Sequence, residues 1–149
     1  MFDLTGKRAL VTGASGGIGG AIAKALHAQG AEVALSGTRT EALEALKAEL
    51  GSKAHATPAD LGSPESAATL FADAAEAMGG VDILVNNAGG AGGDLQPAVL
   101  LTDDEFDFCM KVNVYSTFWA TRRALKTMLE NKWGRIINIS SIEGKHGKA

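Results

Sequence analysis

Cysteine is nearly absent from this chain: Cys109 stands alone among 149 residues. A single thiol excludes an internal disulfide and a cysteine-based zinc site, and it suits a reducing compartment. Aromatic residues are few as well, with five Phe, two Trp and one Tyr. Charge of one sign is missing too, since 14 Lys and Arg face 17 Asp and Glu for a net charge of -3. That balance excludes a basic surface built to coat polyphosphate, so nucleic acid is not an expected partner. No stretch approaches the roughly 18 apolar residues of a membrane span, and Met1 to Lys7 lacks the apolar core of a signal peptide. Neither membrane insertion nor secretion is expected, and a cytoplasmic location is. Hydrophobic residues at 46% and charged residues at 21% are ordinary for a globular domain. The length suits one domain over residues 1–149, able to bury roughly 68–70% of its unfolded surface.

Glycine, by contrast, is plentiful at 19 and clustered. Gly13, Gly16, Gly17 and Gly19 form one group, and Gly89, Gly90, Gly92 and Gly93 another. Clusters of this kind mark local backbone geometry. Between them, short apolar runs alternate with segments of helical period, the pattern of βαβ units feeding a parallel sheet. Ala9 to Thr12 is a continuous apolar run stopped by Gly13, as expected of a central strand buried on both faces. Residues 17 to 29 place Ile18, Ile22, Ala25, Leu26 and Gln29 on one helical face, with Gly30 ending the helix.

Strand two is expected over Glu32 to Ser36. The T-x-x-E spacing of Thr38 to Glu41 predicts a capping box for a second helix carrying Leu43, Leu46 and Leu50. Lys53 to Pro58 reads as strand three, and Ser63-Pro64 as the start of a helix reaching about Met78. Val81 to Val85 is strand four. Thr102 to Glu105 predicts another capping box, and the helical segments after it carry Val114, Phe118, Leu125, Met128 and Leu129 on one side. Ile136 to Ile139 is strand five. The expected fold is α/β, a doubly wound Rossmann-type parallel sheet in the order 3-2-1-4-5, with its ligand site at the carboxyl ends of the strands.

Thr12-Gly13-Ala14-Ser15-Gly16-Gly17-Ile18-Gly19 follows a strand and opens a helix, the context in which a glycine loop binds nucleotide. Backbone without side chains lets a pyrophosphate reach the N–H groups at the helix N-terminus, where unpaired donors meet the positive dipole end. A tight strand–helix turn with no ligand explains the same glycines. Two spacings fit, Gly13-Gly17-Gly19 and Gly13-Gly16-Gly19, because Gly16 and Gly17 are both present.

This loop, together with Asn86-Asn87-Ala88-Gly89 after strand four, resembles the short-chain dehydrogenase/reductase family. The segment from Phe2 to Gly19 is similar to that of 3-oxoacyl-(acyl-carrier-protein) reductases. The resemblance implies a cofactor site of Gly13, Ser15, Gly16, Gly17, Ile18 and Gly19. It adds Asp60 and Leu61, with the aspartate against the adenine, and Asn87, Ala88 and Gly89 along the ribose, where Asn86 to Gly89 can equally stitch strand four to its neighbours. It implies Ser141 as the catalytic hydroxyl and Asn113 as the active-site asparagine. A hydroxyl at the end of strand five can polarise a substrate carbonyl. Asn113 has a donor and an acceptor, enough to hold a water in a proton relay or to pin a helix bend.

Cofactor choice turns on the end of strand two, where an NAD enzyme places an acidic side chain on the ribose 2′-OH. Ser36-Gly37-Thr38-Arg39 has none. Thr38 and Arg39 offer a hydroxyl and a guanidinium suited to a 2′-phosphate, so NADP(H) is expected over NAD(H), unless Arg39 is simply a solvated residue in the first turn of its helix. The family's Tyr-x-x-x-Lys is missing, since Tyr115 is followed four residues later by Trp119. After Ser141 the pair is expected beyond Ala149, which reads this chain as the N-terminal part of a longer enzyme with a bare strand-five edge. Lys145, His146 and Lys148 are expected to lie in a solvated loop. The implied reaction is reduction of a ketone, such as a 3-oxoacyl thioester, or oxidation of a secondary alcohol. A dinucleotide-binding module without catalysis is the alternative. A homo-oligomer is expected, packed through the helix from Tyr115 to Asn131.

Overall fold

Short segments centred on apolar residues, each followed by glycine or a polar turn, form the strands. The computed structural model describes residues 2–90 and 97–142. Gly92, Gly93, Lys145, His146 and Lys148, and most of the loop from Gly90 to Pro97, lie outside the described residues. β1 (Arg8–Val11) is the middle strand, and Ala9, Leu10 and Val11 are fully buried. It pairs in parallel with β2 (Glu32–Leu35) on one side and β4 (Ile83–Asn86) on the other. β3 (Ala54–Ala56) extends the sheet beyond β2 and β5 (Arg135–Asn138) beyond β4, giving the expected order β3-β2-β1-β4-β5. Among the described residues β5 is an outer strand, with Ile137 and Ile139 exposed on it and just past its end.

Helices cover both faces. α1 (Gly17–Ala28) and α2 (Thr40–Leu50) bury Ala23, Leu43 and Leu46 against Val11, Val33 and Leu35. α3 (Pro64–Met78) and α5 (Ser116–Glu130) bury Leu70, Ala74, Ala120, Ala124 and Met128 against Leu10, Ala34 and Leu84. Each fully buried Leu or Val contributes about 1.5–3 kcal/mol of transfer free energy. Ser63 caps α3 by accepting from Ser66 N at 3.1 Å, and Pro64 occupies its first position. α4 (Asp103–Met110) opens with the capping box of Thr102 and Glu105. A π-helical turn over Lys111–Tyr115 then joins α4 to α5.

Three expectations are corrected. α2 begins at Thr40 with Arg39 at its N-cap and no side-chain cap, so the Thr38 box does not form. Backbone bonds from Ala14 N to Ser36 O (2.8 Å) and from Ala59 N to Gly37 O (3.1 Å) hold that segment against its neighbours past the end of β2. Ile18 does not face the core, being 67% exposed, and α1 buries Gly19 and Ala23 instead. The stripe along the π turn and α5 divides in the same way: Met128 is buried, whereas Val114, Phe118, Leu125 and Leu129 are exposed, and small residues fill the tight contact with α3.

At the amino end of the sheet, Arg8 and Asp82 form a two-pronged ion pair, with Nε to Oδ2 and Nη2 to Oδ1 both at 2.8 Å. Arg8 N also donates to Asp82 Oδ2, and Nη1 donates to Gly79 O. Arg8's hydrogen bonds hold the Asp82 carboxyl below its ordinary range, against the opposing effect of burial, and Asp82 raises the Arg8 guanidinium in turn. Beside them, Lys7 Nζ lies 3.8 Å from the Trp133 ring centre, and the Arg135 guanidinium lies 5.2 Å from it.

Candidate functional site

The carboxyl ends of β1 and β4 are tied by a side chain from each. Thr12 Oγ1 accepts from Asn87 N and Ala88 N, both at 3.0 Å, and donates to Val85 O at 3.2 Å. Asn87 Nδ2 donates to Thr12 O at 3.0 Å and Gly13 O at 3.3 Å. Asn86 ties β4 to β5 and α5, donating to Asn138 Oδ1 at 2.9 Å and Thr121 Oγ1 at 3.2 Å.

This close approach fixes two of the glycines. Gly13 has φ +65°, and a Cβ there would sit 2.8 Å from Asn87 Nδ2. A Cβ on Gly19 would overlap the Gly13 carbonyl and lie 2.6 Å from Asn87 Nδ2. A Cβ on Gly17, by contrast, would meet nothing within 4 Å, and one on Gly16 would meet only Gly13 O at 3.4 Å. The fold therefore demands glycine at 13 and 19, while 16 and 17 leave the surface above the turn bare. Gly16 is the N-cap of α1 and offers no side-chain acceptor, so the first N–H groups of the helix have no intrahelical or capping partner.

Around this turn lies a cleft of about 540 Å³, within the range of small-molecule sites. The structure brings Gly13, Ser15, Gly16, Gly17, Ile18, Gly19, Thr38, Arg39, Asp60, Leu61, Asn87, Ala88 and Gly89 together along its walls. Arg39 is exposed at the rim and donates from Nη2 to Ser15 O. Asp60 Oδ1 accepts from Gly62 N at 3.1 Å. Ser36, at the end of β2, also lines the cleft; it is 1% exposed, and among the described residues its Oγ has no hydrogen-bond partner. An orphaned buried hydroxyl costs free energy unless something satisfies it.

Asn113 and Ser141 do not line the cleft. Asn113 sits in the π-helical turn and grips Gly90, which does. Its Oδ1 accepts from Gly90 N at 3.1 Å, and its Nδ2 donates to Gly90 O at 2.8 Å and Cys109 O at 2.9 Å. Both donors of the amide are in use. Ser141 is exposed just past β5, whose pairing with β4 continues through the bond from Ile139 N to Asn86 O at 2.9 Å. Phe108 and Val112, four residues apart before and within the π turn, complete the lining. Composition and periodicity gave them no functional signal; their i, i+4 spacing is shared with every amphipathic helix. Among the described residues no three His, Cys, Asp or Glu side chains gather as metal ligands, and no helix is long and apolar enough to cross a membrane.

Comparisons with known proteins point the same way. Residues 7–149 match the family model for short chain dehydrogenases. The chain is 49% identical to Nodulation protein G of Rhizobium sp. (strain N33), over 99% of this chain and 59% of that protein. It is 43% identical to the 3-oxoacyl-[acyl-carrier-protein] reductase FabG of Rickettsia felis, over 99% of this chain and 58% of that one. A crystal structure described as a short-chain alcohol dehydrogenase from Sinorhizobium meliloti 1021 superposes with a TM-score of 0.92 at 37% identity, covering 99% of this chain and 59% of that one. The 149 residues thus span a little under three fifths of the relatives they match. The family model, which spans residues 7–149, and the fold shared with the superposed structure place this chain in the short-chain dehydrogenase family.

Proposed function

We propose that this chain is the dinucleotide-binding part of an NADP(H)-dependent oxidoreductase that interconverts a ketone and a secondary alcohol. The observation that carries this is the cleft itself: unpaired helix N–H groups, bare Gly16 and Gly17 and the orphaned Ser36 hydroxyl converge where the fold requires none of them. The α1 N-terminus would hold the pyrophosphate. Thr38 and Arg39 would hold a 2′-phosphate, and Asp60 and Leu61 would border the adenine. Gly37 supports the choice of NADP(H), since the end of β2 carries no acid for a free 2′-OH, and a side chain at 37 would start 2.6 Å from Ser15 Oγ and displace that hydroxyl.

When bound, the nicotinamide supplies or accepts the hydride. The protein's part is to bind, orient and donate. The Ser141 hydroxyl would hydrogen-bond the substrate oxygen. Asn113 acts in this scheme as a positioning residue, because its amide already holds the backbone of Gly90. Resemblance to 3-oxoacyl-[acyl-carrier-protein] reductases favours a 3-oxoacyl thioester as substrate. The exposed face of Phe118, Leu125 and Leu129 suits packing against a second copy.

A binding module without turnover is the second reading. It is favoured by one fact: no Tyr-x-x-x-Lys occurs in these residues, and the single tyrosine is Tyr115. Fluorescence titration with NADPH and NADH tests the first claim, with at least tenfold tighter NADPH binding expected and equal affinities refuting it. NADPH oxidation with a β-ketoester then separates enzyme from module.

A further inference from the structure

The α4 wall of the cleft contains an aromatic group that has no role in the scheme so far. Phe108 is 47% exposed yet lines the cleft. Among the described residues its ring meets no other ring and no cation, unlike Tyr115 against Trp119 or Phe118 beneath Arg122. Core packing does not explain it, because α4 buries no residue fully. Val112, half-buried, follows four residues later on the same side. The two walls come from different layers: the glycine turn leads into α1, and Phe108 leads toward α5.

Position along the cleft separates its two ends. Asn113 grips Gly90 at the end of β4, the side nearest β5 and Ser141. Phe108 lies five residues earlier and lines the cleft, which Asn113 and Ser141 do not. The opposite end holds Asp60 and Leu61 past β3. A flat, half-exposed ring beside a cleft is a stacking platform for a base, which every purine face satisfies without hydrogen-bond readout.

We infer that Phe108 is a cofactor-binding residue, its ring packing on the purine of the dinucleotide; this rests on the NADP(H) reading of the cleft. The probe is adenosine 2′,5′-bisphosphate, which has the purine and the 2′-phosphate but no nicotinamide, titrated into the full chain by calorimetry. F108L keeps an apolar side chain and removes the ring, and its affinity is expected to fall about five- to twentyfold. F108W is expected to bind as well as the parent and to show indole emission quenched by the ligand beyond that of Trp119 and Trp133. Parent-like affinity in F108L overturns the inference, and so does a ligand-insensitive indole at 108, which decides the matter even where F108L folds poorly. Failure of the parent itself to bind either this probe or NADPH overturns the cofactor reading as well.

Discussion

The two ends of the sheet treat their polar groups differently. At the amino end, Arg8 and Asp82 satisfy each other, Gly79 O takes a further donor, and Lys7 and Arg135 flank Trp133. At the carboxyl end, Thr12 and the amide nitrogen of Asn87 are engaged, but among the described residues the first N–H groups of α1 and the Ser36 hydroxyl are not. Both ends contain charged or polar residues on short turns. Among the described residues the carboxyl end leaves the Ser36 hydroxyl and the first α1 N–H groups without partners around an open cleft, and unsatisfied groups beside a cleft mark the site better than polarity does.

Substitutions at the two ends should therefore separate stability from binding. The largest effect is expected from Gly19→Ala, which forces a methyl into the Gly13 carbonyl and Asn87. It should cost about 3 kcal/mol in urea unfolding and on the order of 100-fold in NADPH affinity. Asp82→Asn comes next, removing about 2 kcal/mol of stability with an unchanged NADPH dissociation constant. Because the folded Asp82 carboxyl lies below its ordinary value, its contribution is complete above the unfolded pKa near ~3.9 and is lost as pH falls through the folded one. Unfolding free energy measured from pH 6 to pH 2 should fall less steeply in Asp82→Asn than in the parent.

Arg39→Ala should weaken NADPH by about tenfold and leave NADH unaltered, the signature of a lost phosphate contact. An equal loss for both cofactors would mean that Arg39 acts only by holding Ser15 O. Ser36→Ala should have the smallest effect. It removes a hydroxyl that has no partner, so thermal stability should hold or rise slightly while NADPH affinity drops about threefold. Reduced stability without change in affinity would place the missing partner inside the protein and blur the contrast between the ends.

Local signals carried the architecture. Buried runs such as Ala9 to Val11, the Ser63-Pro64 start and the Thr102 box each depend on residues within a turn of one another, and all appear where the spacing puts them. Thr38 and Glu41 have the same T-x-x-E spacing as Thr102 and Glu105 but form no box, because long-range backbone bonds at Ser36 and Gly37 hold the chain past β2. Tertiary pairings had no such signature. The Arg8–Asp82 pair joins residues 74 apart, and the Asn113 grip on Gly90 joins residues 23 apart. The glycine loop was legible as a motif, yet which glycines the fold needs and which it leaves bare appears only when β4 is brought beside β1.

The π-helical turn at Lys111–Tyr115 acts as a phase shifter within one continuous helical rod. Successive residues of an α-helix are rotated by about 100°, and a turn that takes up one surplus residue lets the segments on either side face different directions. α5 can thus point Ala120, Ala124 and Met128 at the sheet while Phe108 and Val112 point into the cleft. Deleting one residue from the turn would restore an uninterrupted helix and swing α4 by about 100°, carrying its cleft wall out of line with the glycine turn while leaving the sheet itself intact.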